Sequence, residues 1–118
     1  MTRAVRALGS LDVASGVLAL VLASWLSDEL DLSTATVRIV GVFLVVLGVD
    51  KVAFASKPAM GRVAMIVEAL FALACVDVAV LADPTAFGMV LLVGTAVMCA
   101  AVATYLFTLE RTSDLVPA

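Results

Sequence analysis

The stretch AMGRVAMIVEALFALACVDVAVLA, residues 59–82, decides how this chain is read. As a helix rising about 1.5 Å per residue it is long enough to cross the roughly 30 Å of hydrocarbon in a bilayer. It is built almost wholly of Ala, Val, Leu, Met and Ile and is closed by Pro58 on one side and Asp83-Pro84 on the other. Two acids, Glu68 and Asp77, nevertheless sit inside it. A charge at that depth is costly unless it is paired or used, so each is first a pairing or functional group. Working outward, the same combination recurs twice: Asp12 lies in an apolar run over residues 5–26 and Asp50 in one over 35–56, while a fourth run over 87–109 carries no acid.

Four such runs account for nearly the whole of a 118-residue chain. Composition agrees, with 64% hydrophobic and 14% charged residues and a mean hydropathy of +1.23. Soluble domains average about half apolar and a quarter charged. The expectation is one integral membrane domain over 1–118, an all-α, polytopic four-helix transmembrane bundle embedded in the lipid bilayer. The net charge of −3 includes acids inside the spans, so it does not describe an acidic surface. No basic patch suggests nucleic acid as a partner.

The breaks between runs carry turn chemistry. Ser27-Asp28-Glu29-Leu30-Asp31 reads as a polar turn, with Ser33 or Thr34 available to cap the second helix. Ser56-Lys57-Pro58 forms the second break, and Asp83-Pro84-Thr85 the third, where Asp83 or Thr85 can cap the fourth helix. The first run is span-length and interrupted by Asp12, which favours a retained helix over a cleaved leader. The tail from Thr112 to Ala118 reads as short and frayed.

Orientation follows from the basic residues, which stay preferentially on the cytoplasmic side. Arg3, Arg6, Lys51, Lys57, Arg62 and Arg111 share one side, six of the seven, and only Arg38 lies near the other. Both termini of a multi-pass cell-membrane protein are therefore expected in the cytoplasm. Trp25, Tyr105 and Phe107 fall near span ends, where amphipathic aromatics anchor at the interface.

The first two spans share a pattern. Val5-Arg6-x-x-Gly9-x6-Gly16-Val17 matches Val37-Arg38-x-x-Gly41-x6-Gly48-Val49, with Val13 and Val45 aligned as well. Since successive spans run in opposite directions, a duplication here implies an inverted repeat. The plainer reading is that Gly9, Gly16, Gly41 and Gly48 mark packing faces where small residues bring helices close.

Depth along the spans places Asp12, Asp50 and Glu68 in one layer toward the cytoplasmic side. Asp12 lies between Gly9 and Gly16, and Glu68 among Ala64, Ala72 and Cys75, on small-residue faces suited to the interior. Asp50 points away from the Gly41 and Gly48 face and is the least suited of the three to a functional role. Two readings compete. In one, Arg6, Lys51 and Arg62 pair with the three acids in a purely structural network. In the other, Asp12 and Glu68 exchange a proton for a cation, with Arg6 and Arg62 tuning them and Gly9 and Gly16 giving room to a substrate. On the opposite side Arg38 and Asp77 are expected to pair with each other.

Other chemistries find no residues. With no His, and with Cys75 and Cys99 inside different spans, no set of side chains that could hold zinc, haem or an iron–sulfur cluster can be assembled. Ser15, Thr95 and Thr104 have no base to activate them, so neither a catalytic role nor a cofactor is expected. Size and layout resemble the small multidrug-resistance exporters, which dimerise around an acid in the first helix. That family has Glu among aromatic residues there, whereas this chain has Asp12 among glycines. Arg38-x9-Gly48-x-x-Lys51 followed by Glu68 also resembles the DoxX-type small membrane proteins, over about a quarter of the chain and on a different helix. Membership in neither follows. The expected function is a proton- or cation-coupled transporter or channel, or else a non-catalytic accessory subunit docked on a larger membrane complex, in either case self-associating or bound to a membrane-protein partner.

Overall fold

The computed structural model describes residues 2–115, which form five helices: α1 (Thr2–Val21), α2 (Ala23–Leu30), α3 (Thr34–Ala53), α4 (Pro58–Leu81) and α5 (Ala86–Leu115). Three of them, α1, α4 and α5, are long and apolar enough to cross a membrane by themselves. The fourth candidate requires α2 and α3 together, bent by 115° at their junction. Helix α3 is apolar too but carries three charges, Arg38, Asp50 and Lys51. The chain is therefore an all-helical protein with three to four candidate spans.

The helix ends differ from the expected ones. The first run is not one helix to residue 26, because the chain departs from regular geometry at Leu22 (φ −101°, ψ 21°) and resumes as α2. The Ser27-to-Asp31 turn is correspondingly late: residues through Leu30 are helical, and the reversal occupies Asp31 to Ser33. Polar residues do not by themselves stop a helix, and this one stops where Asp31 adopts a left-handed conformation (φ 56°) that Asp tolerates. Its backbone N–H, and that of Leu32, then donate to the Ser27 carbonyl, satisfying the last turn. Ser33 caps α3 by accepting from the Thr36 N–H at 3.1 Å. That helix ends at Ala53, short of residue 56, and α4 opens with Pro58 at its first turn, where the missing N–H costs nothing. At its far side α5 continues past residue 109 to Leu115, taking in part of the expected tail; residues 116–118 lie outside the described residues.

Two antiparallel pairings organise these helices, α1 with α3 and α4 with α5, and the pairs meet through fewer contacts between α1 and α4 and between α2 and α5. Val5, Leu8, Ala55, Ala64 and Leu106 form one apolar cluster, so the start of α1, the α3–α4 turn and the late part of α5 share one end, here called the terminal end. A second cluster, Cys75, Leu92 and Ala96 with Leu30 against it, lies toward the far end. There Thr85 ties the pairs together: its N–H donates to the Glu29 carbonyl at 2.9 Å, and its hydroxyl accepts from the Gly88 N–H at 3.0 Å as the α5 cap. The Asp31 carboxylate accepts from the Asp83 N–H at 2.9 Å, and the Trp25 and Phe87 rings lie 5.3 Å apart.

The α1–α3 seam is backbone against backbone. A Cβ on Gly48 would stand 2.5 Å from the Gly9 carbonyl oxygen, and one on Gly16 2.6 Å from that of Gly41. Val13 reaches toward Gly48 as Val45 does toward Gly16. These contacts exchange under a local two-fold rotation, Gly9 with Gly41 and Gly16 with Gly48, the same correspondence that the sequence repeat makes. Only 17–28% of the residues in the three spans are buried within the protein, so most of their apolar surface needs an apolar surrounding.

Candidate functional site

Helix direction assembles the site. Side chains tilt toward the N-terminus of their own helix. Asp12 on α1 and Glu68 on α4 therefore lean toward the terminal end, while Lys51, near the end of the oppositely running α3, leans inward to meet them. Lys51 lies level with Gly9, whose absent side chain would otherwise strike its Cβ, and its long stem spans the remaining turn to Asp12. The Lys51 Nζ donates to Asp12 Oδ2 at 2.5 Å and to Glu68 Oε1 at 3.1 Å. All three side chains are buried, Lys51 to 2% exposure.

Of the three acids and three cations expected to pair in this layer, it holds two acids and one cation, Lys51. Asp12 and Glu68 do converge, but Asp50 is exposed and takes no part; Lys51, one residue on, is the third member. Consecutive helical positions differ by about 100°, and Lys51 follows Gly48 at the i+3 spacing that keeps it on the seam. The face carrying Gly41 and Gly48 thus pointed to Lys51 from the sequence. The expected arginine partners are elsewhere as well. Arg6 is exposed, and Arg62 donates through Nε to Glu110 Oε1 at 2.5 Å, joining α4 to α5 at the surface. Nor do Arg38 and Asp77 pair: both are exposed and no ion pair joins them. Gly9 and Gly16, read as room for a substrate, are occupied by α3.

The two acids also line a cavity of about 500 Å³ between the helix pairs. Its walls are mainly apolar, including Leu44 and Leu47 of α3, Phe71 of α4 and Leu91 of α5, with Ser15, Thr95 and Cys99 as further polar groups. Gly94 was not singled out in the sequence, yet it borders this space: a Cβ there would meet nothing within 4 Å.

The charge count defines what the site can do. Two carboxylates face one ammonium, so the fully ionised layer carries one uncompensated negative charge in a poorly solvating interior. Such a charge is expensive, and a proton or a small cation removes the cost. Every buried side-chain polar atom among the described residues has a hydrogen-bond partner. Cys75 and Cys99 are buried and free, and no three His, Cys, Asp or Glu side chains among the described residues converge on a common point. No protein-family model matches the chain, and no curated protein or solved structure matches it either.

Proposed function

We propose that the protein is a small four-span membrane protein that couples proton movement to a monovalent cation or cationic substrate through Asp12 and Glu68. One observation carries this reading: a buried Asp12–Lys51–Glu68 layer, one positive charge short, borders a cavity that a small molecule could enter. In this scheme the α2–α3 unit completes the fourth crossing, and six basic residues hold both termini in the cytoplasm of a cell-membrane protein. Asp12 and Glu68 share the exchangeable proton, and Lys51, one of the three cations expected to pair with the acids, supplies the fixed counter-charge without Arg6 or Arg62. The reading is non-enzymatic, since exchanging a proton for a cation breaks no covalent bond of a substrate.

Full hydrogen bonding of the buried polar groups supports a second reading, in which the layer only locks helix register in a non-catalytic accessory subunit. Purified protein in liposomes separates the two. Addition of monovalent cations or amines to the wild type should release protons, and Asp12→Asn or Glu68→Gln should abolish the release. Absence of release from a folded wild type, with both variants merely less stable, would defeat the exchange reading and leave the accessory role.

A further inference from the structure

The cavity bordered by Asp12 and Glu68 is open on one side. Toward α3 and α4 its walls, Leu44, Leu47, Val67 and Phe71, are half-buried. Toward α1 and α5, Leu11, Ser15, Val90, Gly94 and Met98 line it and are nevertheless exposed. The backbones of α1 and α5 scarcely approach each other, and a Cβ on Gly94 would stand in open space. The mouth therefore lies between α1 and α5. Leu11 is near the middle of α1, and Met98 is near the middle of the candidate span Ala86–Arg111. At that depth the surroundings are hydrocarbon, so the mouth faces the interior of the bilayer.

What such a space holds follows from its walls and its charge. At about 500 Å³ it is the size of a small-molecule pocket and far larger than a bare ion needs. An inorganic cation gives up its hydration shell only to oxygen ligands that replace it. Beyond the two acids, the lining offers only the Ser15 and Thr95 hydroxyls as further side-chain oxygens. An apolar body with a single positive charge suits both features. Leu44, Phe71 and Leu91 cover the body, and the ammonium supplies the one charge that the Asp12–Lys51–Glu68 layer lacks. A dication overshoots that balance by one, and a neutral molecule leaves it unmet.

We infer that the cavity binds a lipid-soluble monoamine admitted sideways from the bilayer between α1 and α5, with its ammonium at Asp12 and Glu68 and its apolar body among Leu44, Phe71 and Leu91. The inference rests on the exchange reading above, which leaves the class of cation open. Each ammonium that binds displaces the shared proton, so one positive charge enters as one leaves and the layer stays neutral. Gly94 and Met98 set the width of the mouth, and neither belongs to the charged layer.

The test is calorimetric titration of the full-length protein in detergent micelles with phenylbutylamine, protein-free micelles serving as the blank. One amine should bind per chain, and heats compared between buffers of different ionisation enthalpy should show a proton released as it binds. Phenylbutanol, with the same apolar body and no charge, should bind at least about tenfold more weakly, because it leaves the buried negative charge uncompensated. Gly94→Phe and Met98→Trp, with helix content checked by circular dichroism, should each weaken amine binding at least about tenfold by crowding the mouth. No saturable amine binding, alcohol binding as tight as that of the amine, or full amine binding in both folded mouth variants would overturn the inference. Sodium or potassium chloride releasing the proton where the amine does not would also overturn it and leave the exchange reading standing. Saturable amine binding without proton release would uphold the assigned ligand and defeat the exchange.

Discussion

The α1–α3 and α4–α5 pairs bring the same kind of apolar helices together by different means. In the first, four glycines let the backbones touch, and a Cβ added at Gly9, Gly16 or Gly48 would fall under 3.0 Å from the opposing chain. In the second, α4 and α5 meet through Ala64, Cys75, Leu92, Ala96 and Leu106, and Gly94 faces empty space. Glycine is therefore a packing device in one pair and a cavity border in the other. The close seam fixes the α1–α3 register and with it the level at which Lys51 meets Asp12. The looser boundary with the second pair leaves the cavity on which Asp12 and Glu68 open.

Lys51→Met should cause the largest loss. It strands two buried carboxylates together, and breaking a buried ion pair in this way costs about 3–5 kcal/mol. Unfolding in mixed detergent micelles, followed by circular dichroism, should show the loss, and Glu68→Gln should cost clearly less because the Asp12–Lys51 pair survives. Equal losses would mean that Glu68 contributes more than its share of the layer.

Gly48→Ala and Gly16→Ala come next, each overpacking the seam by about 1–3 kcal/mol in the same assay. A neutral result at either would show that the backbones separate without cost. Gly88→Ala probes the junction of the pairs, where an added Cβ would run into the Glu29 carbonyl; a loss in the same range is expected, with helix content otherwise kept. Thr85→Ala should cost about 1 kcal/mol through the lost α5 cap. The smallest effect sharpens the contrast most: Gly94→Ala should be neutral or stabilising by up to about 1 kcal/mol, since the cavity accepts the methyl group and Ala favours the helix.

Much of this was legible in the residues. Long apolar runs marked the helices, Ser33 and Thr85 were each one of two candidate caps, and Asp12 and Glu68 stood out because acids do not belong in hydrocarbon without a reason. The break at Leu22 has no Pro or Gly to announce it, and the helical turn from Ser27 to Leu30 looked like a loop only because it is polar. Arg62 was assigned to the acid layer by depth, but its position on α4 turns it to Glu110 on α5.

Sequence alone determined the helical class, the affinity of these helices for an apolar surrounding, the glycine spacing of the seam and the presence of acids at depth. Each follows from local composition and helical periodicity, which do not depend on the rest of the chain. Tertiary structure decided which charge entered the layer. The Gly41 and Gly48 face already told Lys51 from Asp50, but which of Arg6, Lys51 and Arg62 reaches the acids was settled only by how α3 packs on α1 and α4 on α5. The choice between Arg38 meeting Asp77 in one copy or leaving both exposed was likewise settled by how the helix pairs lie side by side, a relation between distant segments that no local pattern encodes.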